Sequence, residues 1–263
     1  YQLLAISVTC SALALWLIVL WRGDGVATLA ELRRRPFYFL GMGMLNPLFF
    51  YLAVLRAYDL LPAQQAQTIN YTWAVALAIF AVPVLGHRLG WRDIAAVCLG
   101  YLGVVIIATR GQLLPLQFDS LEGVACALAS TVFWALYWLA KTGDSGDPVT
   151  SLCLNFSLAA PCAIALCWLF SSLQLPPWPG LAAALYVGLF EMGITFVIWS
   201  LALRLSSGVS RVGNLIFLSP LVSLVLIATV LDEVIHPATL VGLGLIVPGL
   251  LLQQRSPPGL AAT

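Results

Sequence analysis

Charge is scarce in this chain. Only 9% of its 263 residues are charged, and the formal net charge is +1. That balance excludes a basic face for nucleic acid and gives no electrostatic reason for an acidic partner. Histidine is scarcer still, with His87 and His236 alone, so no His-Glu-x-x-His zinc helix exists. Six cysteines are present (Cys10, Cys98, Cys126, Cys153, Cys162, Cys167), all within apolar runs. They lack zinc-ligand spacing and avoid loops, where structural disulfides would be expected; they read as small apolar helix residues. No basic flank or cleavage motif marks a signal peptide. The chain opens at Tyr1 already inside an apolar run, which reads as a fragment boundary.

Apolar length is what the chain has in abundance. Hydrophobic residues make up 61% of it, and the mean hydropathy is +0.98. A soluble domain of this size could not bury so much apolar surface. Crossing a bilayer core takes about 20 helical residues. Runs near that length occur at 1–21, 37–56, 63–86, 91–110, 119–140, 150–171, 180–203, 208–231 and 238–252. The expected fold class is therefore an all-α polytopic membrane protein with nine visible spans. Connections such as Arg22-Gly-Asp, Leu61-Pro62, Gly143-Asp-Ser-Gly-Asp147 and Pro176-Pro177 carry the Gly, Pro and charge that stop helices. The tail 253–263 reads as disordered.

Lysine and arginine set the orientation. With the loop holding Arg22, Arg33, Arg34 and Arg35 placed in the cytoplasm, alternation adds Arg88, Arg92, Lys141, Arg204, Arg211 and Arg255. Only Arg56 and Arg110 fall outside, a bias of ten to two. The C-terminus is then cytoplasmic.

A weak internal repeat appears when 37–110 is shifted by about 147 residues. Gln64 then falls on Arg211, Gln67 on Asn214 and Trp73 on Pro220. The copies lie five spans apart and so cross the membrane in opposite senses. Inverted repeats of this kind place a binding site at the midplane between the halves. The halves are 1–110 and 119–252, a 5+5 arrangement in which the first helix of the first half is missing from the chain.

Polar residues inside such helices are costly and point to function. Glu191 lies about 15 Å from either end of its span, where a carboxylate costs about 2.5–3.5 kcal/mol. Three readings stand: it binds a substrate ammonium, carries a coupling proton, or is a protonated structural acid bonded to a neighbouring helix. Thr195 shares its face one turn on. The start of span 63–86 is a polar cluster in which Gln64, Gln67 and Tyr71 share a face and Asn70 borders it. Amides and a phenol suit a zwitterion; the plainer reading is hydrogen bonding between helices. Arg211 either draws in a substrate carboxylate or snorkels to headgroups, whereas Asn214 lies too deep to snorkel. Asn46 precedes Pro47 in mid-span, serving either the carbonyl that proline frees or a pocket. Trp134 and Tyr137 make an aromatic face suited to stacking a ring substrate. Trp138 is open to an interfacial-belt reading, and Trp16, Trp21, Trp91, Trp168 and Trp178 read as belt residues. Ala96 and Gly100, four apart, permit close helix packing.

The segment Gly208-Val-Ser-Arg-Val-Gly-Asn-Leu-Ile-Phe-Leu-Ser-Pro-Leu-Val, with the 5+5 pattern, resembles the drug/metabolite transporter superfamily of the EamA type, in its ninth helix. Thr68-Ile-Asn-Tyr-Thr-Trp73 is similar to the Asn-Tyr-x-Trp stretch of YddG-type aromatic amino acid exporters. The chain departs where the family often has Gly-Glu, reading Gly86-His87 and Asp232-Glu233. The resemblance implies export of amino acids, aromatic or bulky and apolar, by alternating access through a cavity between the halves. The implied setting is a bacterial inner membrane. The expected partners are an amino-acid substrate, the lipid bilayer and, optionally, protons, with no nucleic acid, cofactor or metal.

Other functions fit less well. The aspartates sit in loops or at span edges, so no catalytic constellation for a membrane-embedded enzyme is visible. No filter-like loop or charged ring suggests a channel. A sugar-phosphate carrier needs several buried cations, and only Arg211 is a candidate. Another metabolite or drug carrier of the same superfamily is the closest alternative.

Overall fold

The computed structural model describes residues 1–61, 66, 69–85, 90–109, 111, 120–206, 212, 215–218 and 237–254. Among them every regular element is helical: α1 (Gln2–Trp21), α2 (Gly25–Arg34), α3 (Pro36–Leu60), α4 (Trp73–Leu85), α5 (Trp91–Ala108), α6 (Leu121–Thr142), α7 (Pro148–Phe170), α8 (Trp178–Leu205) and α9 (Pro237–Gln254), with a 3-10 turn at Leu215–Leu218. Five of these, α1, α3, α6, α7 and α8, are long and apolar enough to cross a membrane. Span 208–231 and the tail beyond Gln254 fall largely or wholly outside the described residues.

Three departures from the sequence reading stand out. The connection after α1 contains a ten-residue helix, α2, with Arg33 and Arg34 in its last turn. Span 63–86 is not one described helix: Tyr71 and Thr72 form a turn, closed by Thr72 N–H to the Ile69 carbonyl at 2.9 Å, before α4 begins. The long helices α3 and α8 each lose regular α geometry in mid-course, α3 across a kink at Asn46 inside the π segment Met44–Phe49 and α8 in the π segment Val187–Thr195. A shift of Met44–Phe49 by the repeat interval of about 147 residues reaches 191–196. The two π segments thus occupy overlapping places in the repeat. In α3 the cause is visible. Pro47 has no N–H to give, and Asn46 leaves helical geometry at φ −151°, ψ 119°.

The chain divides into two compact units, Tyr1–Ala53 with Ala140–Arg204 and Val54–Leu139 with Leu205–Thr263. Each draws on both sequence halves, so compact packing and repeat copies divide the chain differently. In the first unit α1 packs on α7 and on the π segment of α8, and the start of α3 packs on α7. Small residues permit this. A Cβ on Gly188 would stand 2.6 Å from the Ser7 carbonyl oxygen. The Ser7 hydroxyl donates to the Ala184 carbonyl at 2.8 Å. Asp147 caps α7, accepting from Thr150 N–H at 2.8 Å, with Pro148 at the first helical position.

In the second unit α5 and α9 are the main packed pair. A Cβ on Gly103 would lie 2.6 Å from the Gly242 carbonyl oxygen, and one on Gly249 3.1 Å from the Ala96 carbonyl oxygen. Ala96 and Gly100 therefore do what small residues four apart do in lipid, letting backbones approach. A second core joins Ala57, Leu61, Ala66, Ile69 and Ala127.

Candidate functional site

Glu191 lies within the π segment of α8, and its Oε1 accepts a hydrogen bond from the Tyr51 hydroxyl at 2.7 Å. Tyr51 follows the π segment of α3 by two residues and is 5% exposed, whereas Glu191 is exposed. The bond therefore ties together the two helices whose hydrogen-bond ladders are interrupted. π segments recur at functional sites because they free backbone groups and re-aim side chains. A carboxylate accepts on two oxygens, so one tyrosine leaves it capacity for a cation or another donor. Thr195, at the end of the same π segment, is also exposed.

Asn46 is 0% exposed, and neither atom of its amide finds a hydrogen-bond partner among the described residues. Repair of the carbonyl freed by Pro47 is thus not how this amide is used. An unmet buried amide is expensive, which makes it a natural receptor for a polar group that enters.

At another place in the first unit charge is concentrated around one saturated carboxylate. The Asp144 side chain is 2% exposed. It accepts from Arg35 Nη1 at 3.0 Å, Lys141 Nζ at 3.2 Å, Ser151 Oγ at 3.0 Å and Gly146 N–H at 3.3 Å. Arg204 donates to the backbone carbonyls of Asp144 and Gly146, and Arg22 lies 3.7 Å from Asp147. Burial alone would raise the Asp144 pKa; the Lys141 charge and the bonds from Arg35, Ser151 and Gly146 overcome it and hold the carboxyl well below the usual range. The same bond raises the Arg35 pKa.

The second unit carries an aromatic cluster. Trp134 meets Trp73 and Trp138 edge-on at 6.0 and 5.6 Å between centroids, and Tyr137 meets Trp138 at 5.0 Å. Trp134 is half-buried, whereas Tyr137 and Trp138 are 0% exposed. Trp138 is accordingly a core residue, not a belt residue. Trp16 is not one either: its indole N–H donates to Ser157 Oγ at 2.8 Å between α1 and α7. Trp21, Trp91, Trp168 and Trp178 are exposed, as a belt requires.

An EamA family model matches residues 1–109 and 121–253. The chain belongs to the EamA-like transporter family. It is thus a multi-pass helical membrane protein of a transporter family. Among its relatives is the aromatic amino acid exporter YddG of Ancylobacter novellus, 27% identical over 209 residues, or 78% of this chain and 70% of that protein. Another is the uncharacterized transporter YvbV of Bacillus subtilis, 27% identical over 224 residues, or 82% of this chain and 71% of that protein. A crystal structure of a further protein superposes with a TM-score of 0.81 at 23% identity, covering 97% of this chain and 88% of that one, a likeness of fold.

Within this EamA-type chain the remaining site residues read as follows. Asn70 and Tyr71 are half-buried at the turn that precedes α4. Gln64, Gln67, Arg211 and Asn214 lie outside the described residues. Sequence reasoning passed over Tyr51, which sits in the unbroken apolar run Phe49-Phe50-Tyr51; nothing local marks it as a partner of a residue 140 positions away. It also passed over Asp144, whose loop position hid its burial. A groove of about 460 Å³ runs between α1, α7 and α8 and is lined by residues such as Ile6, Leu13, Leu17 and Leu189. Glu191 does not line it, and its apolar walls suit an acyl chain better than a zwitterion.

Proposed function

We propose that this EamA-type transporter exports amino acids, aromatic or bulky and apolar, across a bacterial inner membrane by alternating access. The observation that carries the reading is the Glu191 carboxylate, placed in mid-helix in lipid and engaged by one described donor, Tyr51. A lone intramembrane carboxylate with spare acceptor capacity suits the α-ammonium of an amino acid. Tyr51 fixes one oxygen and leaves the other to the substrate. The unmet Asn46 amide, in the same unit, offers a donor for the substrate carboxylate. Kinship with an exporter of aromatic amino acids supports the choice of substrate class. The ten-to-two bias of basic residues supports a cytoplasmic C-terminus.

Counterflow in proteoliposomes tests the reading. Vesicles holding purified protein and unlabelled phenylalanine should accumulate labelled phenylalanine, tyrosine and leucine, and should ignore sugar phosphates. Uptake of sugar phosphates without amino acids would overturn it. In the second unit, Trp134→Ala tests ring selectivity: tyrosine flux should fall relative to leucine flux.

A further inference from the structure

We propose that α2 is a surface-lying helix that binds the acidic phospholipid headgroups of the bilayer around the protein. The helix joins two spans, α1 and α3, so it sits at the level of the membrane surface. Its ten residues rise only about 15 Å, half of what a crossing needs.

One face is committed to the protein. Thr28 is 0% exposed, and Glu31 and Leu32, three and four residues on, are half-buried. The other face is open. Val26 is 84% exposed and Leu29 49% exposed, with Ala30 and Arg33 completing the same stripe at helical spacing. The apolar patch continues at both ends, into Trp21 at 88% and Phe37 at 85% exposure. Aromatic and aliphatic residues flanked by arginine are the composition of helices lying in a bilayer interface.

Charge selects the occupant. Between Arg22 and Arg35 stand four arginines against Asp24 and Glu31, a net of +2. Arg35 and Arg22 are turned to Asp144 and Asp147. Arg34 is 78% exposed and meets Glu31 at 3.8 Å, an ion pair that Glu31 shares with Arg35, and Arg33 makes no ion pair among the described residues. Arg33 is thus left to meet phosphate, and the exposed Arg34, which shares one carboxylate with Arg35, keeps guanidinium donors for it. A second copy of the chain is a poor fit, since a two-fold contact here would set arginine against arginine.

The test uses the full chain in mixed micelles, with bound lipid counted by native mass spectrometry. Phosphatidylglycerol should be retained at least fivefold over phosphatidylcholine, and retention should fall as salt rises from 50 to 500 mM. R33Q/R34Q should abolish the preference; V26N/L29N should lower retention of both lipids; R56Q, at an exposed pair with Glu122, should change nothing. Equal retention of the two lipids overturns the proposal, as does a preference that survives R33Q/R34Q. A monomer–dimer shift in V26N/L29N at unchanged lipid retention assigns the face to a second copy and also overturns it. If R33Q/R34Q does not fold, the salt series on the unaltered protein decides, and a preference indifferent to salt refutes the proposal.

Discussion

Asp144 and Glu191 are both carboxylates of the same compact unit, yet their surroundings are opposite. The Asp144 side chain is 2% exposed and receives four donors, from Arg35, Lys141, Gly146 and Ser151. Glu191 is exposed and receives one among the described residues. A saturated buried carboxylate has nothing left to offer a ligand, and losing it strands its cations. An unsaturated one, costly as it is to place in mid-span, holds little of the fold together and keeps an oxygen for whatever arrives. Burial and stability belong to the first; availability, and by our proposal transport, belong to the second.

The sharpest way to break that contrast is Asp144→Asn. Removing one partner of a buried ion pair costs about 3–5 kcal/mol, because Lys141 is left buried and unmatched. A thermal melt in detergent should show a large loss for this variant. Glu191→Gln keeps an oxygen to accept from Tyr51 and should lose less than about 1.5 kcal/mol in the same assay. Equal losses would erase the distinction.

Transport should reverse the order. Glu191→Gln should lower counterflow of phenylalanine at least tenfold, equivalent to about 1.4 kcal/mol, while folding and retaining lipid normally. Tyr51→Phe removes only the orienting bond, so the expected loss is about 0.5–1.5 kcal/mol. Undiminished flux in Glu191→Gln would remove the carboxylate from the mechanism.

The pH dependence of stability sharpens the comparison further. The folded pKa of Asp144 is depressed, so its contribution is fully present above the ordinary aspartate value of about 3.9. It is lost only as pH falls below that value through the lower folded pKa. Melts from pH 7 to pH 5 should therefore show no loss traceable to Asp144, and the difference between the wild type and Asp144→Asn should stay constant over that range. A difference that closes before pH 5 would mean that Asp144 is not held as a carboxylate.

The same contrast marks what the sequence could reveal. Run length disclosed the spans, because crossing lipid demands it whatever packs beside them. A carboxylate in an apolar run disclosed Glu191 for the same reason: its cost is local. Partnership is not local. Asp144 looked like one more loop acid until Arg35, 109 residues away, closed on it. The π segment of α3 left a trace in Asn46-Pro47, but that of α8 left none, since hydropathy counts side chains and not the register of peptide hydrogen bonds. The helix α2 was passed over because its apolar stripe is short and its arginines resemble those of a loop.

Trp16 supplies the smallest and most discriminating case. By position it belonged with the tryptophans at span ends, and a belt residue replaced by phenylalanine loses only a contact with headgroups. In the structure its N–H donates to Ser157 Oγ, which itself donates to the Cys153 carbonyl at 2.6 Å, so the indole is fastened to α7. Hydrogen bonds between membrane helices average about 0.6 kcal/mol. Trp16→Phe should therefore destabilise by about that amount and be matched by Ser157→Ala, and the double variant should cost no more than either alone. Losses that add would show two independent contacts and return Trp16 to the belt. Non-additivity would fix α1 on α7 by a bond that no hydropathy profile contains.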